Sequence, residues 1–228
     1  MAPTMSFQSG GAAAAFAQAR SRAAQRYRDC PRFDRFYLTG KLRHDPVYAD
    51  VFALAGDGFG HVLDAGCGRG QLGVLLLEAG AAETVLALDW NAAHLDQARD
   101  AAHGLPFRAE RRDLAHAADL PAADTVFLID ILYQLDTAAQ DALLLSACRS
   151  ARSRVVVRTP DTAAGLRSAI TRSLEVLGRR VWPHAGARVN PRPMGDLAAT
   201  MSAAGFAVTE SPCWRGTPFA NRLLVARR

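Results

Sequence analysis

Residues 61–73, HVLDAGCGRGQLG, constrain the fold more than any other part of the chain. The apolar residues Val62 and Leu63 indicate a buried strand, and the apolar run that starts at Leu72 indicates a helix. The turn between them carries three glycines within five residues: Gly66, Gly68 and Gly70. Glycines let the backbone turn tightly and let a ligand approach the main chain. Because open α/β sheets bind ligands at the carboxyl ends of their strands, the sequence predicts a nucleotide-type site at this turn.

Strand and helix patterns alternate along the rest of the chain. Apolar runs predict further strands at residues 84–89, 107–112, 124–130 and 154–158. Helices are predicted at residues 91–102, 137–151, 163–177 and 194–204, with Thr137 as the N-cap of the second. Two last strands, at residues 206–210 and 221–226, are joined by a loop and are expected to form a hairpin. The alternation predicts an α/β fold built on a doubly wound, mostly parallel sheet with helices on both faces.

The N-terminal part of the chain has a different composition. Residues 1–28 are rich in Ala, Ser, Gly and Arg, and the first acidic residue is Asp29. This composition is also found in organelle transit peptides, but a frayed terminus leading into a helix over residues 12–28 is the favoured interpretation. Asp45 and Pro46 predict the start of a helix over residues 46–54. We therefore expect residues 1–45 to be a helical extension or lid and residues 46–228 to be the ligand-binding domain.

Composition narrows the class of protein. A chain of 228 residues suits one α/β domain, and a net charge of +5 without a dense basic run indicates a solvated surface rather than a nucleic-acid footprint. The four cysteines are widely scattered, so no metal site is expected and a reducing cytoplasm fits best. No apolar segment is long enough to predict a membrane span.

Carboxylates next to the glycine turn indicate which nucleotide-like ligand binds. Residues 68–73 fit the GxGxxG pattern of dinucleotide sites, but Asp64 lies two residues before the first glycine, where it would repel a pyrophosphate. Asp89 ends the next strand and can accept hydrogen bonds from ribose hydroxyls. Asp113 follows the third strand and could accept from an adenine amine. Three carboxylates without a basic phosphate clamp favour a cationic nucleoside, and S-adenosylmethionine is such a ligand.

On these motifs the chain resembles the class I S-adenosylmethionine-dependent methyltransferases over residues 45–228. The resemblance implies the strand order 3-2-1-4-5-7-6 with the last strand antiparallel. It also implies a set of cofactor-binding residues: Asp64, Ala65, Gly66, Cys67, Gly68, Gly70, Asp89, Trp90, Asp113, Leu114 and Asp130. Tyr133 is the first candidate for contacting the methyl acceptor, and His184 or His44 is the candidate base.

The acceptor is less defined than the cofactor. Residues 40–48 and 214–221 resemble methyltransferases of bacterial aryl-polyene and polyketide-like gene clusters, which implies a small aromatic or acyl acceptor and a role in secondary metabolism. Methylation of RNA or protein is the alternative within the class. A catalytically silent binding protein and an NAD-dependent reductase are the alternatives outside it. The oligomeric state is left open.

Overall fold

A computed structural model describes residues 9–56, 58–116, 119–162 and 190–228. Seven strands form one sheet in the order β3-β2-β1-β4-β5-β7-β6, as predicted. The strands are β1 His61–Ala65, β2 Thr84–Asp89, β3 Phe107–Arg111, β4 Ala123–Ile129, β5 Ala151–Pro160, β6 Ala207–Pro212 and β7 Asn221–Arg227. Strands β1 to β5 pair in parallel, and β7 runs antiparallel to both β5 and β6. The predicted closing hairpin is confirmed.

Helices cover both faces of the sheet within the described residues. Their bounds are α1 Ser9–Gln25, α2 Arg32–His44, α3 Pro46–Ala53, α4 Gln71–Glu78, α5 Ala92–Ala101, α6 Thr137–Ser150 and α7 Met194–Ala203, with a short 3₁₀ turn at Leu132–Gln134. Alternate residues of the central strand β4 point to opposite faces, as strand geometry requires. Phe127 joins the core that packs under α1 to α4, whereas Val126 and Leu128 join the core under α6 and α7.

Local capping explains most helix boundaries and corrects one of them. Asp45 caps α3 by accepting a hydrogen bond from the Val47 N–H, with Pro46 at the first helical position, as predicted. The prediction of Thr137 as the cap of α6 is wrong. Asp136 accepts a hydrogen bond from the Ala139 N–H, so the carboxylate one residue earlier is the cap and Thr137 is the first helical residue.

The N-terminal helices pack directly on the sheet domain. Glu78, at the end of α4, pairs with Arg22 of α1 and with Arg26 just after it. Leu38 and Leu42 fix α2 in the core by their buried side chains. The predicted helix over residues 163–177 lies outside the described residues. None of the helices in the described part of the chain is long and apolar enough to cross a membrane.

Candidate active site

A cavity of about 240 Å³ lies at the carboxyl ends of three adjacent strands. These strands are β2, β1 and β4, and β1 is paired with one neighbour on each side. The chain passes from β1 to β2 on one side and from β4 to β5 on the other, so the strand order reverses between β1 and β4, and a crevice is expected at this point. The predicted glycine turn, between β1 and α4, forms one wall of the cavity.

The three glycines of this turn have left-handed backbones but different surroundings. Their φ angles are 88° for Gly66, 53° for Gly68 and 74° for Gly70. A Cβ on Gly66 would lie 2.8 Å from Ile131, and one on Gly70 would lie 2.8 Å from Ala98, so both positions are filled by packing. A Cβ on Gly68 would meet nothing within 4 Å. Gly68 therefore leaves space over the backbone, as expected of a ligand cradle.

Asp64, the last residue but one of β1, is a buried carboxylate that faces this cavity. Its side chain is 2% exposed, and its Oδ2 atom has no hydrogen-bond partner within the described residues. Burial raises the pKa of Asp64 to about 7, the Asp89 carboxylate adds to the increase, and Lys41 opposes it. A buried carboxylate without a partner is costly. A cationic ligand group would therefore be stabilised at this position.

Asp89 ends β2 on the other side of the glycine turn. Its Oδ2 accepts a hydrogen bond of 2.8 Å from the Gly68 N–H, and its Oδ1 accepts one of 2.9 Å from the Asn91 N–H. Each carboxylate oxygen has two lone pairs, so one on each oxygen is still available for a ligand. Trp90 lies beside it, lines the cavity and is 57% exposed.

Four of the predicted cofactor residues lie outside the lining of this cavity: Ala65, Gly70, Asp113 and Leu114. Asp113 accepts a hydrogen bond from the Ala115 N–H and pairs with His116 at the surface, and these contacts lower its pKa, with the His116 hydrogen bond first. Leu114 is buried in the core under α6. The proposed contacts of Asp113 and Leu114 with an adenine ring stay predictions.

Asp130 follows β4 and belongs to a buried ion cluster that the sequence analysis missed. Arg158, 3% exposed, donates hydrogen bonds from Nε and Nη2 to Asp130 and from Nη1 and Nη2 to Asp45. Burial alone would raise the pKa of Asp130, but Arg158 and Lys41 outweigh it and hold the pKa below its usual value. Asp130 also has a left-handed backbone, with φ 60°. Its charge is therefore balanced by protein cations.

A second cavity, of about 640 Å³, adjoins the first. Three residues line both cavities: Tyr37, Lys41 and Asp130. Aromatic side chains form much of the wall of the second cavity, among them Phe33 and Phe36 of α2 and Phe219. The predicted acceptor residue Tyr133 lines this cavity, and so does His44. His184 lies outside the described residues.

Apart from His44, the site residues of helix α2 were not singled out in the sequence. Arg69 of the glycine turn pairs with Asp34 of α2 and lies over the Tyr37 ring, and its backbone carbonyl accepts a hydrogen bond from the Tyr27 hydroxyl. The cavity-lining residues of α2 recur at positions 33, 36, 37, 40, 41 and 44. Such spacing places them on one helix face, and this periodicity was the available signal.

The match to a known sequence family covers the central strands and helices. Residues 62–153 match the family model described as "Methyltransferase domain". No curated protein is significantly similar to the chain in sequence.

Solved structures with the same fold extend the likeness to most of the chain. Magnesium protoporphyrin IX methyltransferase (ChlM) from Synechocystis PCC 6803, solved with bound S-adenosylhomocysteine, is 23% identical with a TM-score of 0.63, over 91% of this chain and 93% of its own. An O-methyltransferase family protein from Burkholderia thailandensis is 20% identical with a TM-score of 0.65, over 98% of this chain and 64% of its own. The pyocyanin biosynthetic protein PhzM is 24% identical with a TM-score of 0.61, over 90% of this chain and 61% of its own. Residues 62–153 therefore match a methyltransferase domain, and the chain has the fold of the class I S-adenosylmethionine-dependent methyltransferases, as predicted.

Proposed function

We propose that the protein transfers the methyl group of S-adenosylmethionine to a small, largely apolar acceptor. The observation that carries this proposal is the pairing of two adjoining cavities of different character. One ends in the unpartnered Asp64 carboxylate beside an open glycine, and the other is walled by aromatic rings. The first suits a polar cation, and the second suits an apolar molecule.

The residues of the first cavity fit S-adenosylmethionine. Asp64 would accept hydrogen bonds from its ammonium group, which compensates the buried carboxylate oxygen. Asp89 would accept from the ribose hydroxyls, and Trp90 would pack against the adenine. When bound, the cofactor supplies a sulfonium methyl group whose bonding electrons remain on sulfur, giving a neutral thioether. A phosphate-rich ligand such as NAD would place its negative charges against two carboxylates, which is unfavourable.

The second cavity would align the acceptor and exclude water from it. Both effects lower the barrier to methyl transfer without a covalent intermediate. Tyr133 is proposed to contact the acceptor, whereas His44 and His184 are the candidate bases for an acceptor that must lose a proton. The names of the structural neighbours ChlM and PhzM, which refer to a porphyrin and to pyocyanin biosynthesis, support a small-molecule acceptor over RNA or protein. We further propose that the reaction takes place in the cytoplasm, within secondary metabolism.

Binding of S-adenosylhomocysteine tests the cofactor assignment. Calorimetry should detect it, and it should raise the melting temperature, whereas NADH should do neither. In Asp89→Ala the affinity should fall roughly 10- to 100-fold, as expected for loss of charge-assisted hydrogen bonds. Asp96→Ala is the matched control, because Asp96 is exposed on α5 and pairs with Arg99. Binding of NADH alone would contradict the proposal, and cofactor binding without methyl transfer to any aromatic or acyl acceptor would indicate a silent binding protein.

A further inference from the structure

Lys41 lies where the two cavities meet. It lines both of them, and its side chain is 30% exposed. Its Nζ atom is 3.7 Å from Asp130 Oδ2, which is longer than a normal hydrogen bond. The Lys41 side chain therefore borders both cavities and can be reached by a molecule in either one.

The Lys41 ammonium keeps its proton near neutral pH. Burial on its own would lower the pKa of Lys41, but Tyr37, Asp130 and Asp45 raise it, and the net pKa is above the usual value despite the opposing charge of Arg158. Lys41 is thus a fixed cation and not a base for the acceptor.

The carboxylates next to Lys41 are shared with a second cation. Arg158 donates to both oxygens of Asp130 and to both oxygens of Asp45. Arg158 itself is almost completely buried, whereas the Lys41 side chain is not. Of the two cations in this cluster, Lys41 is the one that can donate to a ligand.

The second cavity supplies the apolar half of a binding site. Phe33 and Phe36 are 56% and 78% exposed, and they stand on the same face of α2 as Lys41. A ring system placed against these side chains would remove their apolar surface from water. An anionic group on that ring system would then reach the cation at the inner end of the cavity.

We propose that the acceptor is an apolar, ring-bearing acid whose anionic oxygen accepts a hydrogen bond from Lys41 and is the atom methylated. The inference deepens the proposed function and rests on it. An ionised oxygen has no proton to lose, so the reaction needs no general base. Lys41 would hold the anion at the junction of the two cavities, facing the site proposed for the cofactor, so its contribution is to position the acceptor oxygen for transfer.

A matched pair of probes tests the inference without requiring turnover. We would titrate 2-naphthoate and 2-naphthamide, which share a ring system and differ in charge, into the protein with and without S-adenosylhomocysteine. The wild type should bind the carboxylate at least about tenfold more tightly than the amide. Lys41→Met should lose this preference, and Lys41→Arg should retain much of it. Arg43→Met is the matched control, because Arg43 is exposed on α2 and outside both cavity linings, and it should keep the full preference.

The ratio of the two affinities is measured within each variant, so it does not depend on cofactor affinity. An equal affinity of the wild type for both probes, an unchanged ratio in Lys41→Met, or no binding of either probe at millimolar concentration would overturn the inference. The wild-type comparison applies even where Lys41→Met does not fold. Binding of S-adenosylhomocysteine, measured in parallel, distinguishes failure of the proposed function from failure of this inference. A wild-type protein that does not bind S-adenosylhomocysteine contradicts the proposed function. A wild-type protein that binds it but shows no preference for the carboxylate contradicts only the assignment of Lys41.

Discussion

The ionisation of the buried Asp64 carboxylate affects the stability of the folded protein. Because the pKa of Asp64 is about 7 in the folded chain and near 4 in the unfolded chain, the folded state retains a proton that the unfolded state has lost between these values. This contribution to stability is fully present below about pH 4 and is lost as the pH rises through 7. The ionised carboxylate thus destabilises the ligand-free protein at the pH where it can bind a cation.

Asp64→Asn should therefore change stability in a pH-dependent way. The melting temperature of the variant, relative to that of the wild type without ligand, should rise between pH 5.5 and pH 8, because only the wild type acquires a buried charge. The affinity of the wild type for S-adenosylhomocysteine should increase between pH 5.5 and 7.5, and that of Asp64→Asn should be lower and nearly constant. Asp119→Asn, at a carboxylate that is 86% exposed, serves as control and should show neither trend. A variant that tracks the wild type at every pH would exclude ionisation of Asp64.

Some of the site residues could be predicted from the sequence, and others could not. Asp64 and Asp89 could be predicted because each lies at the end of an apolar strand next to a glycine turn, so local sequence fixes their position. Lys41 and Arg158 could not, because residues 41, 130 and 158 are far apart in the chain and come together only in the fold, where both cations pair with Asp130. Asp113 shows the reverse case: it follows a strand as expected, but its carboxylate is engaged by His116 and the Ala115 N–H at the surface.

Within the glycine turn, the positions that are filled by packing differ from the one that is open to a ligand. Gly68→Ala places a side chain in a left-handed backbone with open space, which should cost about 1–2 kcal/mol of stability. Gly104→Ala is the matched control, since Gly104 also has a positive φ, 77°, and no atom within 4 Å of an added Cβ. The two variants should lose similar stability in urea unfolding. Only Gly68→Ala should lose affinity for S-adenosylhomocysteine, by tenfold or more, and equal affinities in the two variants would place the cofactor elsewhere.

The ion cluster joins the end of β5 to the start of α3. Arg158→Met leaves the largely buried Asp45 without a cationic partner and Asp130 with only the longer contact to Lys41, which should lower the free energy of unfolding by about 3–5 kcal/mol. Arg152→Met, also on β5, removes a guanidinium that is 61% exposed and pairs with Asp124, so it should cost at most about 1 kcal/mol. Urea unfolding at neutral pH measures both. Similar losses for the two variants would show that the cluster adds little to stability.

The strand order of the whole molecule was predictable, whereas the position of the N-terminal helices was not. Parallel strands alternating with helices restrict the sheet to few topologies, and the family resemblance selected one of them. The sequence of α2 does not show which of its faces packs on the sheet, because only Leu38 and Leu42 are buried and the adjacent face carries exposed aromatic rings. The exposed rings line the second cavity, and this role is visible only in the folded structure.

This arrangement predicts how the whole molecule responds to its cofactor. We propose that α2 acts as a lid, because it lines both cavities and its Asp34 pairs with Arg69 of the glycine turn. S-adenosylhomocysteine should slow backbone hydrogen exchange in α2 as well as in the β1–α4 turn, since ligand binding suppresses local opening of the segments that enclose it. Helix α6 is the internal control: it lies on the opposite face of the sheet, contributes no residue to either cavity lining, and should exchange at an unchanged rate. Protection confined to the β1–α4 turn would show that α2 is a fixed wall, with acceptor entry controlled elsewhere, whereas equal protection of α2 and α6 would indicate a global gain in stability and no lid.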